Sequence, residues 1–277
     1  MSKLKPTNDF IFKEIFGKNE NVDILKDFLQ SILTDIKINK VEINKDVTLE
    51  RELWTDKYGI LDILATLDDD IKVNVEIQVE DYHNTEDRSV FYSTATYRND
   101  IERGTTYLNI PRSISIWITA YDVFKEGPFH EIARLRRDYN KDIISDKLEI
   151  HYIQLPKFKE SCKEISNKLD EWLTFIQYDD KEKVKMIKNE HVQKAEKEYE
   201  YLTGDAAKRR IAYLREKKIR DEASGLEMAT IIGKKEGIKE GKKENQIEIA
   251  KKMLAKQMDI KEIAEITELT EEDIKKL

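Results

Sequence analysis

The residues of this 277-residue chain best placed to do chemistry are two carboxylates and an amide on one face of a hairpin. GILDILATL (59–67), an acidic turn at 68–70 and IKVNVEIQV (71–79) read as a β-hairpin, two alternating apolar runs about a polar turn. With the turn at 68–70, Leu67 faces Ile71, and Asp62 then falls opposite Glu76. The same register gathers Leu61, Ile63, Ala65 and Leu67 on one side with Ile71, Val73, Val75 and Ile77. A slip of one residue sets apolar against polar on both strands. The other side carries Asp62, Glu76 and Gln78. Opposed side chains have Cβ atoms about 4.5–5.5 Å apart, and like charges there are destabilising. Solvent or a cation between the carboxylates relieves that repulsion. Mg²⁺ takes oxygen ligands, commonly one or two carboxylates with water and phosphate. A cation so held activates water and stabilises charge on a phosphodiester. Gln78 is available to orient the attacking water or to contact a phosphate oxygen. A solvated polar hairpin face has the same spacing, so spacing alone does not choose between the two.

Elements of several kinds must hold this hairpin. Asn8 or Asp9 is suited to cap a first helix bearing Phe12 and Phe16 four apart, with Gly17 ending it. Val22, Leu25, Phe28, Leu29 and Ile32 mark a second helix. Val47, Leu49 and Leu53 alternate ahead of the hairpin. Residues 84–104 return to helical spacing, with Val90, Ala95, Tyr97 and Ile101 expected in the core and Gly104 as a stop. SISIWITAY (113–121) is a strand, so a crossover is expected, with this strand parallel to its predecessor. FHEIARLRR and LEIHYIQL are two further strands. Trp172, Leu173, Phe175 and Ile176 mark a packed helix, residues 205–256 a long charged helix, and the segment from Asp259 two short helices parted near Glu268. The pattern predicts an α/β domain over 1–200 and an all-helical extension over 201–277.

Composition excludes several classes. Charged residues make up 38% of the chain, with only 9 Gly and 4 Pro, which suits exposed helix rather than a turn-dense all-β fold. The lone Cys162 excludes an intramolecular disulfide and a cysteine-rich zinc site. His83, His130, His151 and His191 lack zinc-ligand spacing, and there is no Gly-rich phosphate loop. No run approaches the roughly 20 apolar residues of a membrane span, and the first residues lack an apolar signal core; a cytoplasmic location is expected. The net charge of −7 argues against non-specific coating of nucleic acid.

Beyond these readings, LDILATLDDD–IKVNVEIQ resembles the core motif of the Rpn-type recombination-promoting nucleases, the transposase-like branch of the PD-(D/E)XK nuclease superfamily. NDFIFKEIFG, the series Arg88–Tyr92–Tyr97–Gly104–Tyr107, PRSISIWITAYDVF, WLTFI and the IKEIAEIT ending match in order over nearly the whole chain. The resemblance implies a restriction-endonuclease-like core, a mixed sheet flanked by helices built as α-β-β-β-α-β. It also implies cleavage of DNA with Mg²⁺ or Mn²⁺ and a link to recombination or mobile elements. Asp62 matches the metal-binding aspartate and Glu76 the second acidic ligand. Gln78 stands where most of the superfamily has lysine. A neutral amide stabilises a charged phosphate less well than an ammonium, though this branch shares the glutamine.

Asp9 and Lys13, one turn apart, pair with each other or face the hairpin, and the resemblance implies that their segment frames the site. Arg88 and Tyr92, with Asn99 and Arg103 beyond, offer a basic and aromatic face to a DNA backbone. The cluster 206–220, seven bases and one acid, suits DNA or a solvated helix face equally. The glycines at 225, 233, 237 and 241 allow close helix approach or a tether. The tail from Asp259 has the outline of a helix-turn-helix but carries seven acids against three bases. A groove-reading helix is basic, so an interaction or dimerisation cap is expected instead, making a homo-oligomer through the C-terminal helices. Two functions stay open: a DNA endonuclease, or a nuclease-fold protein with weak or absent catalysis that acts as an oligomeric interaction module.

Overall fold

The computed structural model describes residues 4–44, 62–68, 70–99, 106–162 and 164–277. Val47, Leu49, Leu53, Leu61, Ile101, Arg103 and Gly104 lie outside them. A six-stranded sheet is ordered β1-β2-β3-β4-β6-β5, with β1 Val41–Asn44, β2 Ile63–Leu67, β3 Ile71–Gln78, β4 Arg112–Thr119, β5 His130–Arg134 and β6 Leu148–Gln154. β1, β2 and β3 form an antiparallel meander. β3, β4 and β6 run parallel, and β5 closes the far edge antiparallel to β6. The hairpin register pairs Leu67 with Ile71 and Ile63 with Val75, as the alternation predicts. Of the acidic turn, Asp68 has a positive φ of 48°, and its carboxylate accepts the Asn39 and Lys40 backbone N–H groups at 3.1 and 2.7 Å.

The helices are α1 Asp9–Phe16, α2 Val22–Ile32, α3 Thr85–Asn99, α4 Leu155–Ser161, α5 Lys168–Gln177, α6 Lys181–Lys185, α7 Glu190–Gly204, α8 Ala206–Ala255, α9 Ile260–Thr267 and α10 Glu271–Ile274. In α1 the Asn8 side chain caps the Phe10 and Ile11 N–H groups. A Cβ at position 17 would lie 2.8 Å from the Lys13 carbonyl oxygen, which favours glycine there. One sheet face is apolar: Ile63, Ala65, Val73, Val75, Ile114 and Ile116 share a core with α1, α2, α5 and α7. Phe16 sits at its centre, its ring 4.7 Å from Phe12, 5.1 Å from Phe28 and 5.6 Å from Trp172.

The opposite face is polar and buried, and α3 lies across it. Asn74, Ser113 and Ser115 are buried there, and α3 meets them with Ser89, Ser93 and Thr96. The expectation that Val90 serves the core is overturned: Val90 is 52% exposed. The sheet surface beneath α3 mixes the polar Asn74, Ser113 and Ser115 with a cluster of Trp117, Ile150 and Tyr152, on which Tyr92 packs, so Val90 is not needed on its inner face. Small hydroxyls fit there and hydrogen-bond, as Ser93 does to the Ser89 carbonyl and Ser89 to the Tyr152 hydroxyl.

The chain divides into two compact units, one ending at Ile219 and one running from Arg220 to Leu277. In the second, the end of α8, α9 and α10 surround Ala250, Ile263 and Ile274. Asp259 caps α9. Thr270 caps α10 and donates to Asp273 at 2.6 Å. Among the described residues no helix is long and apolar enough to cross a membrane.

Replacing Phe16 by Ala opens a cavity among three aromatic rings and is expected to cost about 3–5 kcal/mol in denaturant unfolding. Val90→Ala is expected to stay within about 0.5 kcal/mol, as for exposed positions generally. Equal losses in the two variants would refute this assignment of the core.

Candidate metal centre

Asp62 immediately precedes β2, and Glu76 and Gln78 project from β3 on the polar face. The register sets Asp62 against Glu76, and the side chains interlock with the backbone of the opposite strand. The Asp62 N–H donates to Glu76 Oε1 at 3.2 Å, and the Ile77 N–H donates to Asp62 Oδ2 at 2.9 Å. Glu76 is only 2% exposed. Burial pushes its carboxyl well above the ordinary range, and the Asp62 charge adds to that. Asp62 is also raised by burial, against the opposing pull of Lys13.

Lys13, from the middle of α1, places Nζ 2.8 Å from Asp62 Oδ1 and 3.0 Å from Asp9 Oδ1. The two arrangements foreseen for Asp9 and Lys13, pairing together or facing the hairpin, are thus both present. Burial works against the Lys13 charge, but Asp62 and Asp9 outweigh it and hold the ammonium above its ordinary range. On the other flank, Gln78 Nε2 lies 3.5 Å from Glu76 Oε2, and Arg88 donates to Gln78 Oε1 at 2.9 Å. The Arg88 guanidinium stands 5.6 Å from the ring centroids of both Tyr92 and Trp117, which stack on each other 5.7 Å apart. Asp9, Lys13, Asp62, Glu76, Gln78, Arg88 and Tyr92 therefore form one continuous chain of contacts.

Two neighbours of the site were not foreseen. Trp117 had a signal: it lies on the same parity of β4 as Ser113 and Ser115, so it belongs to the polar face. Arg215, 3.2 Å from Asp9 Oδ2, had none beyond its place in a basic run. Two of the histidines that lack zinc-ligand spacing nonetheless meet: His130 Nε2 lies 2.9 Å from His151 Nδ1, and His151 Nε2 lies 2.7 Å from Glu149. Glu149 also binds Arg134 and Arg112. Burial holds His130 down to about 4. Glu149 is drawn down to about 2, as these hydrogen bonds and charges outweigh its burial. Both on β6, Glu149 and His151 share the sheet face of Ile114 and Ile116, their β4 partners, away from the acidic pair.

A family model described as PD-(D/E)XK nuclease family transposase matches residues 6–229. The chain belongs to this PD-(D/E)XK nuclease family. A second model, described as the C-terminal HTH domain of the Rpn/YhgA-like nuclease family, matches residues 243–277. Neither a curated protein nor a solved structure matches the chain. The second match corrects the setting aside of a helix-turn-helix. The acid excess was read from 259–277 alone, whereas the matched segment begins at Lys243 and takes in Lys251, Lys252 and Lys256. It holds seven bases and nine acids, and the end of α8 packs with α9 and α10 in one core.

PD-(D/E)XK nucleases generally use divalent metals, and the residues present fit such an ion. They are hard oxygen donors, buried and incompletely neutralised. Among the described residues no group of three or more His, Cys, Asp and Glu is disposed to hold a metal.

The raised Glu76 carboxyl makes a pH prediction. Its contribution to stability is full below the ordinary value of 4.5 and is lost as pH rises through the folded-state value. In metal-free buffer Glu76→Gln is expected to melt above the parent at neutral pH, the gap closing as pH falls towards 4.5. Melting curves across that range check it; a variant less stable at every pH refutes it.

Proposed function

We propose that this chain is a metal-dependent DNA endonuclease serving recombination or mobile elements. The observation that supports the reading best is the facing pair Asp62 and Glu76, joined through each other's backbone on the polar sheet face of a PD-(D/E)XK family chain. Mg²⁺ or Mn²⁺ is the cation these oxygens suit. When bound, it supplies Lewis-acid stabilisation of the phosphoryl oxygens and a more acidic water. Asp62 and Glu76 hold it. Gln78 orients the attacking water or meets a phosphate oxygen through its amide. Arg88, backed by the Tyr92 and Trp117 rings, presents a fixed guanidinium to the DNA phosphate, with Tyr92 beside it. Lys13 balances the Asp62 charge while no cation is present, and Asp9 holds Lys13.

We assign residues 1–200 to the nuclease domain and 201–277 to the helical extension, working in the cytoplasm. The helix-turn-helix description of 243–277 supports DNA as the partner. A homo-oligomer through the C-terminal helices remains part of the proposal. The second reading, a catalytically weak protein acting by assembly, rests on Gln78, whose neutral amide replaces a cation.

A plasmid-nicking assay with Mg²⁺, Mn²⁺ or chelator separates the two. Asp62→Asn keeps the shape and removes one ligand charge. Nicking is expected to fall by about 100-fold or more, since several kcal/mol of transition-state stabilisation go with the cation. Stability without metal is expected to hold or rise by about 0.2–1 kcal/mol, the scale of an opposed pair. Unfolding of the variant would make Asp62 structural, and normal cleavage would place the chemistry elsewhere.

A further inference from the structure

The first turns of α8 belong to the same compact unit as the acidic pair, and Arg215 links them to it through Asp9. Ala212 is fully buried, and its carbonyl accepts from the Asn8 side chain at 3.3 Å. The Tyr82 hydroxyl lies 3.4 Å from the Ile219 carbonyl. Between these anchors Arg215 donates to Asp9 Oδ2 at 3.2 Å, its guanidinium 5.2 Å from the Phe10 ring centroid. Asp9 thus offers one oxygen to Arg215 and the other to Lys13. Lys13 in turn is divided between Asp9 and Asp62.

We propose that Arg215 is a positioning residue: by occupying Asp9 it weakens the hold of Asp9 on Lys13, keeps Lys13 on Asp62, and so sets how readily the acidic pair takes a divalent cation. The physical reason is competition for charge. Lys13 and a divalent cation both seek Asp62 Oδ1. A carboxylate shared by two cations attracts each less than one serving a single cation. With Arg215 gone, Asp9 draws Lys13 more fully, and Asp62 is left to the metal. Arg215 stands near the start of α8, within the compact unit that ends at Ile219. Displacing the first turns of α8 from α1 therefore changes the affinity of the acidic pair for a cation. This inference rests on the reading of Asp62 and Glu76 as cation ligands.

Mn²⁺ titration of the full chain by calorimetry, at physiological salt to screen distant charges, tests both layers separately. Asp62→Asn is expected to abolish binding; unchanged binding there overturns the ligand reading and this proposal with it. Arg215→Met, which keeps the stem against Phe10, is expected to bind Mn²⁺ about threefold tighter or more, the lower range for coupling within one ionic network. Arg215→Lys is expected to restore the parent affinity. In a Lys13→Met background, Arg215→Met is expected to change nothing further. Tighter binding that persists there would mean a general field effect and overturn the route through Lys13. Unchanged or weaker binding in Arg215→Met alone, with Asp62→Asn still abolishing it, overturns the proposal while leaving the ligand reading intact. Melting curves of each variant verify that the titrated protein is folded.

Discussion

Two negative charges are held against each other where water barely reaches. Unpaired carboxylates in a low-dielectric setting shift towards their neutral forms or acquire a partner, and the surroundings of Asp62 and Glu76 answer in both ways. Each carboxylate takes a backbone N–H from the strand opposite, so the hairpin that causes the repulsion also moderates it. Lys13 arrives from α1 on one flank, and Arg88 stands on the other, one amide removed. The rest of the architecture follows from keeping these groups in place. α1 is pinned by the aromatic cluster around Phe16, and α3 is laid over the polar face so that Arg88 is fixed by two rings.

Burying a polar sheet face has a second consequence for α3. Its contact side is built of small hydroxyl residues: Ser113 donates to the Ser93 carbonyl and Ser89 bonds the Tyr152 hydroxyl, while Asn74 and Ser115 bond each other within the sheet. That accounts for Ser89, Ser93 and Thr96 facing inward while Val90 faces out.

Legibility in the sequence tracks periodicity. The hairpin register, the cap at Asn8 and the strand read at 113–121 are local or period-two signals. The geometry that brings Asp62 and Glu76 together was readable because one face of the hairpin is uniformly apolar. The inner face of α3 was not, since the sheet beneath it is polar around Asn74, Ser113 and Ser115 and apolar only around Trp117, Ile150 and Tyr152. Trp117 was readable only in hindsight of the parity of its strand. The His130–His151 contact joins β5 to its neighbour β6 diagonally, and the Arg215–Asp9 contact spans 206 residues. Spacing carries no information about either. The tail was misjudged because its acid count began at the wrong helix: the unit it belongs to starts within α8.

The separations along the chain also order the assembly of the centre in time. The Asp62 and Glu76 groups meet across 14 residues, and Arg88 reaches Gln78 across 10. Arg215 reaches Asp9 only after 206. Contacts between near neighbours close first, since the entropy of loop closure grows with length, and a chain emerging from the ribosome makes them in that order. The acidic hairpin is therefore synthesised in full well before α8. Over that interval Asp9 lacks Arg215 as a partner. The carboxylates of Asp62 and Glu76 thus leave the ribosome well before the arginine that pairs with Asp9.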